Sequence, residues 1–274
     1  MRRDWLSRGL LWTALALYTV YTAGPFAWVA NMSLRTTPEI MAAPYALATT
    51  PHWWKFVEAW TTSNYGTYLW NSVAICVSAV VIVTIIGAMA AHALARYRFP
   101  GRRLVGAAIF STIIFPPQIT IIALFQIMVE YDLYDTRLGL MLVYVAIQLP
   151  LTVYLLEAFF ARIPEALYEA AKIDGYGGIE VFWKITLPVG FPAIATTIIL
   201  NFIHLWNDFL YAVVIISDDS KRTLPLGIQK FMGDQMEDIG MIATGMMIAV
   251  IPVVLFYAFF SERLIQGMTA GAVK

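Results

Sequence analysis

Apolar residues in this chain are gathered into long continuous runs, not the alternation of a half-buried strand or the narrow stripe of a surface helix. The runs extend from Leu10 to about Met32, Leu69 to Leu94, Leu104 to Val129, Leu138 to Phe160, Phe191 to Ile216 and Met241 to about Ser261. Each is long enough to cross a hydrocarbon core as a helix, which takes about 20 residues. The pattern predicts an all-α membrane protein with six transmembrane helices, and residues 1–274 read as a single membrane domain without internal repeat, linker or low-complexity segment. The first run follows Arg2, Arg3 and Arg8 and is too long for the core of a signal peptide, so it is expected to stay in place as an uncleaved span. Residues 33–68 read as a mixed loop rich in Thr, Pro and aromatics, with His52-Trp53-Trp54 suited to a membrane interface. Two breaks interrupt the apolar runs, Pro116-Pro117-Gln118 in the third and Gln148-Leu149-Pro150 in the fourth. A proline there frees a backbone carbonyl that protein or water must satisfy, and such a break serves as a hinge or as a packing kink.

Charge orients the runs. Segments 1–8, 95–103, 161–190 and 262–274 hold twelve of the eighteen Lys and Arg residues, and the alternate loops hold six. The positive-inside rule therefore places both termini and the 161–190 segment in the cytosol. Composition narrows the chemistry further. The chain is 60% hydrophobic and 13% charged with a formal net charge of zero, so nothing favours nucleic acid. The lone Cys76 lies inside an apolar run, which leaves no disulfide framework and no cysteine metal site. His52, His92 and His204 are far apart and show no ligand spacing. No phosphate-loop motif occurs, so any ATP that drives the protein must be bound by a partner.

The segment between the fourth and fifth runs is a polar, helix-prone island. Pro164 is expected in a first turn, where its missing N–H costs nothing. Ile163, Ala166, Leu167, Ala170 and Ala171 are expected on one helical face, with Glu165, Tyr168, Glu169 and Lys172 around the rest. Asp174-Gly175 ends the helix with a left-handed cap, and a second short amphipathic turn follows at Ile179, Phe182 and Trp183. A helix lying on the membrane surface usually carries Lys and Arg on its polar face. This one is acidic and rich in small residues, which suits docking into a protein groove.

The fifth run carries Thr197, Asn201, His204 and Asp208, which cluster within about 60° on a helical wheel. Polar groups in a span line a wet cavity or serve as hydrogen-bond glue between helices, and both readings stand for this stripe. If it lines a path, these four residues are the candidate translocation path.

Glu169-Ala170-Ala171, three residues, Gly175, nine residues, then Ile185-x-Leu187-Pro188 resembles the EAA loop of ABC importer permeases. Asn71-Ser72 at the second span, Trp206-Asn207-Asp208 late in the fifth and Gly267–Lys274 resemble the MalG-type branch that imports carbohydrates. Tyr176 departs from the pattern, which more often has Ala there. The resemblance implies a type I ABC importer transmembrane domain with its conserved-type core at about residues 67–262. It also implies a bacterial inner-membrane, multi-pass protein that carries no cofactor and does no covalent chemistry. The partners it implies are a second homologous permease, two cytosolic ATPases that hold ATP and Mg, and an extracytoplasmic solute-binding protein. By the same resemblance Glu165, Glu169, Ala170, Ala171, Asp174, Gly175, Leu187 and Pro188 couple to the ATPase, with Glu169 as an anionic anchor. Leu224, Pro225, Leu226 and Gly227 would belong to a loop that reaches the binding protein. The expected cargo is a sugar or sugar derivative; a permease for glycerol phosphate or peptide is the alternative. An ion-coupled transporter would show inverted repeats and paired intramembrane charges, and an intramembrane protease a zinc or paired-carboxylate motif; the sequence has neither.

Overall fold

The computed structural model describes residues 2–231 and 238–270, with side chains described for 8–116, 119–230 and 238–258. Every regular element among the described residues is helical. The chain begins with α1 (Arg2–Ser33), then the short α2 (Thr37–Ala42) and α3 (Trp54–Thr61), and the long α4 (Tyr65–Arg96). After them come α5 (Arg102–Ser111), α6 (Pro117–Glu130), α7 (Arg137–Phe160), α8 (Glu165–Ile173) and α9 (Gly178–Val181). The last are α10 (Leu187–Trp206), α11 (Leu210–Ile215), α12 (Leu224–Ile228) and α13 (Ile239–Ala270). Among the described residues five helical stretches are long and apolar enough to cross a membrane, and a sixth is reached if α5 and α6 together make one broken span.

The departures from the expected spans have local causes. The third is bent by 108° between α5 and α6, at the Pro116-Pro117 pair, where two missing N–H groups end one helix and start the next. The fourth is not interrupted: α7 runs through Pro150 to Phe160. The fifth ends at Trp206 instead of Ile216, and the chain then starts the separate α11. At its other end, α9 and the stretch Phe182–Thr186 join α10 in one helical run from Gly178 to Trp206. Residues 33–68, expected as loop, contain α2 and α3.

The chain divides into two compact units, residues 1–66 with 227–252 and residues 67–226 with 253–274. In the first unit the buried Arg35 guanidinium donates to the carbonyls of Glu39, Ala43 and Ala46, closing the C-terminal end of α2. Lys55 is 2% exposed and donates to the Arg35 carbonyl at 2.6 Å. Burial pulls its pKa down to about 8 against the raising influence of Asp238, Glu39 and Glu58. A Cβ at Gly240 would lie 2.5 Å from that Lys55 ammonium and 2.6 Å from the Arg35 carbonyl, so only glycine fits there. Glu39 pairs with His52 at 3.0 Å, and the hydrogen bonds from His52 and from the Thr36 amide bring its pKa to about 2.

In the second unit α10 lies along α7. A Cβ on Gly190 would meet Phe160 at 2.4 Å, and one on Gly87 would meet Thr152 at 2.5 Å, so missing side chains set how closely α10 and α4 approach α7. The buried core runs from Ala88, Ala91 and Leu94 of α4 through Leu156 and Phe160 of α7 to Tyr168 and Ala171 of α8. It therefore sits at the Arg-rich end of the second unit.

Candidate functional site

The corner between α7 and α10 contains the polar island. Pro164 is the N-cap of α8, one position outside the expected first turn, and Glu165 opens the helix. Its end is a Schellman turn. Gly175 has φ 82, its N–H reaches the Lys172 carbonyl at 3.0 Å, and the Tyr176 N–H reaches the Ala171 carbonyl at 2.9 Å. Tyr176 completes this turn by packing on the core and lies 4.3 Å beneath the Lys184 ammonium, so the departure from the usual Ala is absorbed locally.

The faces of α8 differ from the helical-wheel expectation. Tyr168 and Ala171 are the buried residues, while Ala166, Leu167 and Ala170 are exposed together with Glu165 and Glu169. The wheel puts Ile163, Ala166, Leu167, Ala170 and Ala171 on one face and Tyr168 on another; the fold instead buries Tyr168 with Ile163 and Ala171. In the folded chain the tyrosine goes inward because Arg96 stacks on its ring and Thr186 receives or returns its hydroxyl hydrogen bond. The outer face is consequently apolar as well as acidic, with Leu167 41% and Ile173 87% exposed. Ala171 faces the chain's own core, so of the Ala170-Ala171 pair only Ala170 is available to a partner. Asp174 is the exposed C-cap, Leu187 is half-buried and Pro188 is exposed in the first turn of α10.

A second polar assembly lies at the opposite end of the same unit. Asn71 Nδ2 donates to the carbonyls of Ser220 and Arg222, both at 2.9 Å, and Ser72 Oγ accepts from the buried Leu224 amide at 2.7 Å. Tyr68 donates to Asp219 at 2.9 Å. Asp135 accepts from the amides of Ser217 and Asp218 and from Lys221, at 2.9, 2.9 and 2.8 Å. Burial raises the Asp135 pKa, but the hydrogen bonds from Lys221 and the two amides outweigh it and hold the carboxyl below its ordinary value. Asp135 in turn raises the Lys221 pKa. These residues fix the segment that leads into α12. Asn71 and Ser72 stand out in the sequence only through the resemblance and Asp135 through nothing at all, because their partners lie some 80 to 150 positions away, beyond any local pattern.

Along α10 the four-residue stripe separates. Thr197 and Asn201 are buried; Asn201 Nδ2 donates to Thr152 Oγ1 at 2.9 Å and Thr197 Oγ1 to the Ala193 carbonyl at 2.9 Å. His204 is exposed. Asp208 lies beyond the end of α10, off the wheel on which the stripe was drawn, and it accepts from Tyr144 and from the amides of Tyr211 and Ala212 at the start of α11. Gln148 is 2% exposed and its Nε2 has no hydrogen-bond partner among the described residues. Within residues 224–230, Leu224, Leu226 and Gly227 are buried and Pro225 is half-buried, which leaves Gln229 and Lys230 as the exposed positions of that stretch. The last four residues of the Gly267–Lys274 resemblance lie outside the described residues.

This arrangement, a bundle of long apolar helices with a capped amphipathic helix projecting at its Arg-rich end, has known counterparts. The family described as "Binding-protein-dependent transport system inner membrane component" matches residues 83–269, more than half of the chain. The chain belongs to that family. It is thus an inner-membrane, multi-pass ABC importer permease, a non-catalytic part of its transporter. The diacetylchitobiose uptake system permease protein of Streptomyces coelicolor is 38% identical over 265 residues, covering 95% of this chain and 87% of that protein. The trehalose transport system permease protein of Mycobacterium tuberculosis is 36% identical over 271 residues, covering 97% and 98%. A crystal structure of a bacterial ABC transporter for import of the acidic polysaccharide alginate has a chain that superposes with TM-score 0.80 at 22% identity, over 96% of this permease and 98% of that chain, and shows that the fold is shared. The matched residues include α8 and the turn at Gly175.

Proposed function

We propose that this permease imports a sugar or sugar derivative together with a second homologous permease, two cytosolic ATPase subunits that bind ATP and Mg, and an extracytoplasmic solute-binding protein. The observation that carries the coupling role is the outer face of α8, where Ala166, Leu167, Ala170 and Ile173 stand uncovered beside Glu165 and Glu169. An apolar face on a short helix outside the spans invites a protein partner, and the two carboxylates add a charge address for a basic residue. Gly175 and Asp174 hold the helix end, and Leu187-Pro188 passes its motion to α10. The sugar assignment rests on the carbohydrate names of the diacetylchitobiose and trehalose relatives. His204 and Asp208 are the members of the Thr197, Asn201, His204 and Asp208 set best placed to meet cargo. The buried Asn201 holds α10 to α7, and Thr197 bonds within its own helix. The binding-protein loop is presented by α12, with contact made through Pro225, Gln229 and Lys230 while Leu224, Leu226 and Gly227 support it from beneath.

The test is assembly followed by uptake. Ala170→Trp and Glu169→Lys are expected to abolish co-purification of the ATPase while the permease remains inserted in the membrane. Wild-type recovery of the ATPase with both variants would overturn the docking role. A ligand screen of the binding protein encoded beside this chain, read by thermal shift, is expected to return oligosaccharides; selective stabilisation by a peptide or a glycerol phosphate would overturn the sugar assignment.

A further inference from the structure

A lever tied to its bundle only by its two chain ends would spend its displacement in the connecting turns. The second unit contains two additional ties. Arg96, the last residue of α4, stacks its guanidinium 3.9 Å from the centre of the Tyr168 ring in the middle of α8. The same side chain donates to the carbonyl of Phe160, at the end of α7, and to that of Ile163 at 2.5 Å, and reaches Glu165 at 3.1 Å. The Glu165 carboxylate is 63% exposed, so the ion pair adds little; the ring and the two carbonyls hold Arg96. The second tie is a buried hydrogen-bond chain. Tyr168 Oη lies 3.1 Å from Thr186 Oγ1, which lies 3.0 Å from His92 Nδ1 on α4. Thr186 ends the Phe182–Thr186 stretch, which is wound as a π-helix immediately before α10. Single π-turns inside α-helical runs recur at functional sites because they set side chains out of the regular phase.

We propose that Arg96, Tyr168, Thr186 and His92 form a clamp that transmits displacement of α8 to α4 and α10, making Arg96 a positioning residue for the coupling step that touches no cargo. It rests on the reading of α8 as the ATPase-docked lever. The guanidinium fork engages four groups on three segments, and the buried chain joins α8 to α10 and α4 at one atom, Thr186 Oγ1. A displaced α8 either carries both helices along or leaves these buried groups without partners, and buried unpaired polar groups are strongly disfavoured. Coupled motion is therefore the cheaper course.

The clamp can be tested without knowing the cargo, in the complete complex with its second permease and ATPases, with ATP and orthovanadate as the probe. Single cysteines are placed at Ile173→Cys on α8 and His204→Cys on α10, in a Cys76→Ser chain, and maleimide labelling is compared before and after trapping. Trapping is expected to change labelling at both positions by about fivefold or more, the lower end of measured coupling between sites. With Arg96→Met, position 173 is expected to respond as before while the response at 204 falls below about twofold. Arg96→Lys, which keeps the charge but loses the planar fork, is expected to recover only part of it. If Arg96→Met does not assemble, the decision passes to Tyr168→Phe and Thr186→Val, which cut only the buried chain and are expected to lower the response at 204 at equal complex yield. An undiminished response at 204 in the assembled variants overturns the clamp. Absence of any change at 173 in the wild-type complex would instead overturn the lever reading, so the two failures are told apart.

Discussion

The two ends of the second unit are both polar, yet they are built differently. At the Arg-rich end a single side chain, Arg96, gathers α7, α8 and the turn between them, and the exposed face of α8 is left both apolar and acidic. At the other end the work is divided among Asn71, Ser72, Tyr68 and Asp135, and most of their bonds go to backbone amides or carbonyls of residues 217–224. Bonds from several side chains spread along residues 217–224 fix that segment's path, whereas one hub that holds two carbonyls and a ring ties a helix to its neighbours so that they move as a body. The difference suits a helix that must be pushed and a loop that must be held in shape.

The largest break in this comparison comes from Gly175→Val. The glycine has open space around it but φ 82, which a β-branched residue strongly resists. We expect the Schellman turn to open, the ATPase to be lost on purification, and uptake to fall by about tenfold or more, as for about 1.4 kcal/mol or more of lost coupling. Unchanged recovery of the ATPase would show that the turn does not set the docking face. Next in size is Ser72→Ala, which leaves the buried Leu224 amide without its acceptor at a cost of about 1–3 kcal/mol. Faster hydrogen exchange is expected at Thr223–Leu226, with none at α8; equal acceleration at both ends would erase the distinction between them.

Asp135→Ala should have a smaller effect, about 1–2 kcal/mol, because water can replace a partly exposed carboxylate. The expected readout is increased protease cleavage near Ser217–Arg222 with ATPase assembly retained. The smallest effect is the pH dependence of that same loop. The Asp135 pKa is depressed, so its contribution is present above the ordinary value of 3.8 and is lost as pH falls through the folded value. Lys221 is raised, so its contribution is present below 10.5 and is lost as pH rises through the folded value. Hydrogen exchange, corrected for its intrinsic pH dependence, should show the loop loosening toward both extremes. Asp135→Asn should shrink the acid limb to the part that Asp218 contributes, whose carboxyl the Ser220 amide and hydroxyl hold below its ordinary value; an acid limb unchanged by this substitution would take it away from Asp135 altogether.

The sequence by itself determined the elements whose cause is local. Runs of apolar residues specify spans because lipid leaves the backbone no other partner, and Gly175 after Asp174 specifies a cap because few residues tolerate positive φ. The EAA spacing was legible for the same reason: it lies within twenty residues, and it led to the right family. Tertiary structure decided which face of α8 is inward. A wheel ranks Tyr168 below Ala166 and Leu167 as a core residue, but a guanidinium from α4 and a threonine before α10 give the tyrosine partners that alanine and leucine lack. Tertiary structure also ended α10 at Trp206, since Asp208 meets Tyr144 and caps the start of α11 where hydropathy alone would run on to Ile216. It gave Arg96, Asn71 and Asp135 their parts as well, because those depend on partners between 64 and 151 positions away that no local pattern can supply.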